Sequence, residues 1–85
     1  MKIKVLYLAS LREQLGKPGE DIEIPPATST VAGLRTLLMA RGGPWQTALA
    51  QGKALRVAVN QEMAQPTTPV KPGDEVAFFP PVTGG

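Results

Sequence analysis

The 85-residue chain contains neither cysteine nor histidine. Without cysteine there is no disulfide framework and no thiolate metal site. Without histidine the commonest general base is missing, and with it the usual activator of a serine or threonine nucleophile. No stretch approaches the ~18 consecutive apolar residues that a membrane span requires. The first residues already read as a strand and lack the apolar core of a signal peptide. Charge of one sign is scarce too: Lys and Arg total 9, Asp and Glu 7, and the basic residues are scattered rather than gathered into a nucleic-acid footprint. These absences point to a small cytoplasmic domain with no nucleic-acid partner, no membrane partner, no metal and no cofactor held by the chain itself. A chain of this length buries only about 60–65 % of its unfolded surface, so one modest core is expected.

Hydrophobic periodicity orders the rest. Residues 2–8 alternate as a strand, with Ile3, Val5 and Tyr7 on one face and Lys2, Lys4, Leu6 and Leu8 on the other. Ser10 is placed to cap a short helical turn through Leu15, closed by Gly16. Lys17 to Gly19 reads as loop, and Asp21–Ile24 as a short second strand. Thr30 is a good N-cap for the main helix, in which Val31, Leu34, Leu37 and Leu38 share a face. Gly33 inside that helix hints at close packing, and Gly42-Gly43 supplies the stop. Pro44 opens a second short helix over 44–50, ended by Gly52, with Trp45 as a core or lid residue. Residues 55–59 form a third strand, with Leu55, Val57 and Val59 on its apolar face. Asn60-Gln61 turns into a short edge strand, 62–64. Lys71-Pro72-Gly73-Asp74 has type II turn chemistry, and Glu75 to Phe79 is the last strand. This order suits an α+β, β-grasp (ubiquitin-like) mixed sheet packed on one main helix, over residues 1–79. It also permits a ferredoxin-like arrangement.

A catalytic pair is hard to assemble. Glu13, Glu20, Asp21, Glu23, Glu62, Asp74 and Glu75 fall in turns, at strand ends or on solvated faces, where they serve solubility. Gly42-Gly43-Pro44-Trp45 lacks the Lys-Ser/Thr of a phosphate loop and reads as helix punctuation. The end of the chain is chemically more pointed. Residues 80–85 read Pro80-Pro81-Val82-Thr83-Gly84-Gly85. Prolines hold an extended conformation at little cost, and six residues at ~3.3–3.6 Å each reach about 20 Å. Two glycines suit a tail that enters a space too narrow for side chains, with the Gly85 α-carboxylate as the functional group. A bare Gly-Gly would also fit a simple disordered terminus; the preceding prolines favour the threaded tail. The strand phases also put Ile3, Val5, Val76 and Phe78 toward the helix. Leu6, Leu8, Ala77 and Phe79, joined by Met63, then lie on the opposite sheet face. That face is normally polar in a one-helix fold, so an apolar patch there marks a protein interface.

The run Gly73-Asp74-Glu75-Val76-Ala77-Phe78-Phe79-Pro80-Pro81-Val82-Thr83-Gly84-Gly85, together with Lys4-Val5-Leu6-Tyr7-Leu8-Ala9 and Ala58-Val59-Asn60-Gln61, resembles the molybdopterin synthase small-subunit family. These are ubiquitin-like sulfur carriers of molybdenum cofactor biosynthesis. The resemblance covers nearly the whole chain; the Lys17–Asp21 loop and the Pro25–Thr30 segment depart from it. It implies that a ubiquitin-activating-like adenylyltransferase uses ATP to make Gly85 an acyl adenylate. A sulfur donor protein then converts it to a thiocarboxylate. The tail (Pro80, Pro81, Val82, Thr83, Gly84) threads into the large subunit, and sulfur passes to cyclic pyranopterin monophosphate to build a dithiolene. The family assembly is a heterotetramer in which the large subunit holds the catalytic groups. By family matching, Leu8, Arg12, Met63 and Phe79 contact the large subunit or the activating enzyme. Carriers for thiamine or tRNA thiolation, and protein modifiers conjugated through the terminal glycine, are the competing readings. The Phe-Phe-Pro-Pro-Val-Thr-Gly-Gly run favours the molybdopterin carrier.

Overall fold

Alternation decides which residues of the first strand face inward. In β1 (Lys2–Tyr7) Ile3, Val5 and Tyr7 are buried, while Lys2, Lys4 and Leu6 point outward. The computed structural model describes residues 1–50 and 54–81. β2 (Gly19–Glu23) runs antiparallel to β1 with Ile22 opposite Ile3 and Gly19 opposite Leu6. It starts two residues before the expected Asp21, because pairing with β1 continues as far as Leu6. Only glycine fits at that position: a Cβ on Gly19 would lie 2.6 Å from the Val5 carbonyl oxygen. Forcing a methyl into that backbone contact costs about 1–3 kcal/mol. Ile24, expected as the last strand residue, lies just past β2; it stays buried and its N–H donates to the Met1 carbonyl at 2.9 Å.

The first helix corrects one expectation. In α1 (Ser10–Leu15) the N-cap is Ala9, at φ 56°, and no side chain caps the turn. Ser10 is already helical, so its hydroxyl cannot act as the cap. Gly16 does close the helix, at φ 76°, with its N–H donating to the Arg12 carbonyl. Thr30 caps α2 (Val31–Met39) as expected: its Oγ1 accepts from the Gly33 N–H at 3.1 Å. Two further N–H groups of that first turn, on Val31 and Ala32, donate to the carbonyls of Thr68 and Pro66 at 3.0 and 2.9 Å. The segment before the last strand thus satisfies the two N–H groups that the Thr30 side chain does not reach. Val31, Leu34 and Leu38 are buried and Leu37 half-buried. α2 stops at Met39, short of the two glycines; Gly42 and Gly43, both at positive φ, turn the chain into α3 (Pro44–Ala48). Leu49 caps α3, and the expected stop at Gly52 lies outside the described residues.

The strands β3 (Arg56–Val59) and β4 (Glu62–Met63) are joined by Asn60 and Gln61 at φ 51° and 69°, the two left-handed residues of a tight hairpin. Gly73, at φ 84°, makes the turn into β5 (Glu75–Phe79), and the Asp74 N–H closes it on the Lys71 carbonyl at 3.1 Å. The sheet order is β2-β1-β5-β3-β4, with β1 and β5 parallel and the other pairs antiparallel. With α2 packed across one face, this is the β-grasp arrangement and not the ferredoxin-like one. The core between them contains Tyr7, Phe78, Ile3, Leu34, Leu38, Leu49, Val5 and Val76, all under 2 % exposed.

One acid departs from the solvated role expected of it. The Glu20 carboxylate accepts from the Tyr7 hydroxyl at 2.8 Å and from both terminal nitrogens of Arg41, at 2.7 and 3.1 Å. The Lys17 ammonium lies 3.8 Å away. Arg41 in turn stacks 4.4 Å over the Trp45 ring, which meets Tyr7 edge-on at 5.3 Å. Trp45 is therefore a half-buried flank of the core, tying α3 to β1. The Arg41 hydrogen bonds, aided by the Tyr7 hydroxyl and opposed by partial burial, hold the Glu20 carboxyl below its usual range. Burial, followed by the hydrogen bond to Glu20, pushes the Tyr7 hydroxyl pKa up. Because the folded carboxyl is the stronger acid, the Glu20 contribution to stability is full above the unfolded pKa, about 4.3, and is lost as pH falls through the lower folded value. Urea melts between about pH 6 and pH 3 should show a loss of stability for the native chain that is smaller in Glu20→Gln, which is already weaker at the upper pH.

Candidate functional site

The exposed sheet face is built in cross-strand rows. At the start of β1 the rows set opposite charges side by side: Lys2 stands opposite Glu23, and Lys4 lies between Asp21 and Glu75. The next row is apolar from end to end: Leu6 pairs with Ala77, Ala77 with Ala58, and Ala58 with Met63. Beyond it Phe79 pairs with Arg56, and the Leu8 N–H donates to the Phe78 carbonyl at 3.0 Å, carrying β1 alongside β5 for one more residue. Leu8 is 39 % exposed and Met63 62 %, the two large hydrophobic side chains most open to solvent among the described residues. The expected apolar outer patch is therefore present, and it lies at the end of the sheet where β5 finishes.

Among the residues predicted from the sequence, Leu8, Met63 and Phe79 stand on this face together, with Phe79 half-buried. Arg12 is exposed on α1, and its side chain makes no ion pair or hydrogen bond with a described residue. Pro80 and Pro81 follow Phe79 directly and are half-buried. Pro81 lies at a groove of about 410 Å³ between α2 and the β3–β4 hairpin, and Pro80 at a smaller depression beside α1. Val82, Thr83, Gly84 and Gly85 lie outside the described residues. Arg35, on the groove wall, donates to the carbonyls of Leu49 at 2.8 Å and Ala50 at 2.6 Å, joining α2 to the end of α3. Burial lowers its pKa. Two outer-face residues escaped the sequence reading, Ala58 and Arg56. The signal for both was available: Val57 points inward, so its neighbours must point out.

Chemically, the described side chains assemble no acid–base pair. The half-buried Glu20 carboxylate is spent on Tyr7 and Arg41. No group of three or more metal-ligating side chains occurs among the described residues. No helix among them is long and apolar enough to cross a membrane. What the geometry offers is an apolar outer row close to the point where β5 gives way to Pro80 and Pro81.

The mixed sheet order and the helix across one face put the chain in the class of small ubiquitin-like β-grasp proteins. Within that class the chain belongs to the ThiS family, which matches residues 5–85. It is 46 % identical over 83 residues to the molybdopterin synthase sulfur carrier subunit of Escherichia coli strain K12, covering 98 % of this chain and 99 % of that one. Among solved structures, SAMP1 from Haloferax volcanii superposes with a TM-score of 0.77 over all of both chains at 24 % identity. The complex of subunits 1 and 2 of the molybdopterin-converting factor from Helicobacter pylori 26695 gives 0.68 at 22 % identity, again over both full chains. These two structural likenesses speak for the fold; the sequence likeness speaks for the carrier family.

Inside and outside on β5 separate the core from the outer face. Phe78→Ala empties a core site that is 1 % exposed, and should cost about 3–5 kcal/mol in denaturant melts. Phe79→Ala removes a half-buried outer ring and should cost under half as much; the reverse order would mean that the two faces of β5 are exchanged.

Proposed function

We propose that this chain is the sulfur carrier subunit of a molybdopterin synthase, working in the cytoplasm with its Gly85 carboxylate as the carrying group. The observation that supports it best is a placement. The central strand β5 ends at Phe79, one row beyond the apolar row of Leu6, Ala77, Ala58 and Met63, and the next two residues are the stiff Pro80-Pro81. A partner that covers the row receives the tail at a defined point. The full-length likeness to molybdopterin synthase sulfur carrier subunits selects the pathway.

A carboxylate resists attack by nucleophiles because its charge repels them and oxide is a poor leaving group. Adenylation answers this: the Gly85 carboxylate attacks ATP, pyrophosphate leaves, and the acyl carbon now bears AMP. A sulfide equivalent from a sulfur donor protein displaces AMP and leaves a thiocarboxylate. The carrier then inserts residues 80–85 into the large subunit, where the sulfur passes to cyclic pyranopterin monophosphate. The chain supplies docking and reach, and the catalytic groups belong to the activating enzyme and the large subunit. Leu8, Arg12, Met63 and Phe79 form the docking contacts in this reading. Gly84 is small so that the backbone passes a constriction that a Cβ would block.

Intact mass spectrometry after incubation with ATP, the adenylyltransferase and a sulfur source tests the reading. The native chain should gain the mass difference of one oxygen exchanged for sulfur. A chain lacking Gly85 should melt as the native one does and gain nothing. Gly84→Val should likewise keep its melting curve and lose loading or transfer. An unchanged native mass, or sulfur transfer by the truncated chain, would overturn it.

A further inference from the structure

Among the described cations of the outer face, Arg56 is the one whose cross-strand neighbour is not an acid. Lys2 and Lys4 each face an acid across the strand, Glu23 for the first and Asp21 and Glu75 for the second. Arg56 faces Phe79 instead. It is exposed, and its side chain makes no ion pair or hydrogen bond with a described residue. It stands on the same outward phase as Ala58, one row nearer the tail, since Val57 between them is buried. A partner that covers Leu6, Ala77, Ala58, Met63 and Phe79 removes water from this guanidinium as well. A charge desolvated without a counter-charge is costly, enough to cancel much of the gain from the apolar row. A planar guanidinium beside a covered apolar patch is best satisfied by a carboxylate, which it can grip with two parallel N–H···O bonds.

We infer that Arg56 is a specificity-determining residue of the docking face, and that the cognate partner surface carries a carboxylate opposite it, at the margin of an apolar patch. The inference rests on the docking reading above and adds the partner's chemistry to it. An apolar row of alanines, Leu6 and Met63 gives area but little register, because one small side chain resembles the next. A bidentate ion pair next to Phe79 has direction. It fixes the sheet against the partner at the row from which the tail departs, and so aims the tail. The same pair discriminates among partners, since a surface with a neutral or basic group at that point leaves Arg56 unpaired.

Calorimetric titration of the full chain and its variants with the large subunit from the same organism tests this. Arg56→Gln should weaken binding about tenfold, and Arg56→Glu, which sets like charges together, about a hundredfold or more. Arg56→Lys should recover part of the loss. Raising the salt concentration should narrow the gap between the native chain and Arg56→Glu. Phe79→Ala serves as the control for the face. If Phe79→Ala weakens binding and Arg56→Glu binds as the native chain does, the partner has no carboxylate there and the inference falls while the docking face stands. If neither variant changes binding, or the native chain does not bind, the docking face falls and the inference with it. Matching denaturant melts confirm that the variants are folded. Should Arg56→Glu melt early, Arg56→Gln decides by the same comparison.

Discussion

Everything in this molecule hangs on the parallel pairing of β1 with β5. The first and last strands lie side by side in the middle of the sheet, so the core cannot close until the two ends of the domain meet. A parallel pair needs a long crossover, and nearly the whole chain serves as that crossover. Val5 with Val76 and Tyr7 with Phe78 are cross-strand neighbours in this pair, and all four are essentially inaccessible to water. Burial of side chains this size contributes about 1.5–3 kcal/mol each. The two hydrogen bonds from the α2 start to Pro66 and Thr68 then hold the approach to β5 against the helix.

The same pairing explains where the outer apolar row lies. β5 is flanked by β1 on one side and β3 on the other, so its last residue finishes between two paired strands and not at a free sheet edge. The tail therefore leaves from the interior of the sheet, next to Leu8 and Arg56. Edge strands elsewhere are kept short or charged: β4 has two residues, and β2 carries Glu20, Asp21 and Glu23. Such edges discourage strand addition. The inviting surface is the outward face beside the tail, and it is the alternation Phe78-in, Phe79-out that makes one strand serve both the core and that face.

Much of this was readable in the amino acids. Period-two alternation put Ile3, Val5, Val76 and Phe78 inside and Leu6, Ala77 and Phe79 outside, and the structure agrees. Thr30, Gly16, Asn60 and Gly73 announced their caps and turns through chemistry local to each residue. What stayed hidden depended on distant pairing. The start of β2 at Gly19 follows from contact with Val5 and Leu6, more than ten residues away. The role of Glu20 depends on Arg41, brought to it only by the turn of the chain after α2. Ala9 took the cap position from Ser10 by adopting a backbone conformation unusual for alanine, which no propensity foretells. The uncompensated state of Arg56 is visible only once strand register shows which residue it faces.

The aromatic corner has an optical consequence. The chain has one tyrosine and one tryptophan, and their rings meet at 5.3 Å. At that separation light absorbed by Tyr7 passes to Trp45 as long as the two elements stay packed, and unpacking releases tyrosine emission. Tyr7 points to the inner side of β1, away from the outer row of Leu6, Ala77 and Ala58. The molecule thus contains an intrinsic fluorescence gauge that reads the integrity of its core and is blind to what docks on its other face.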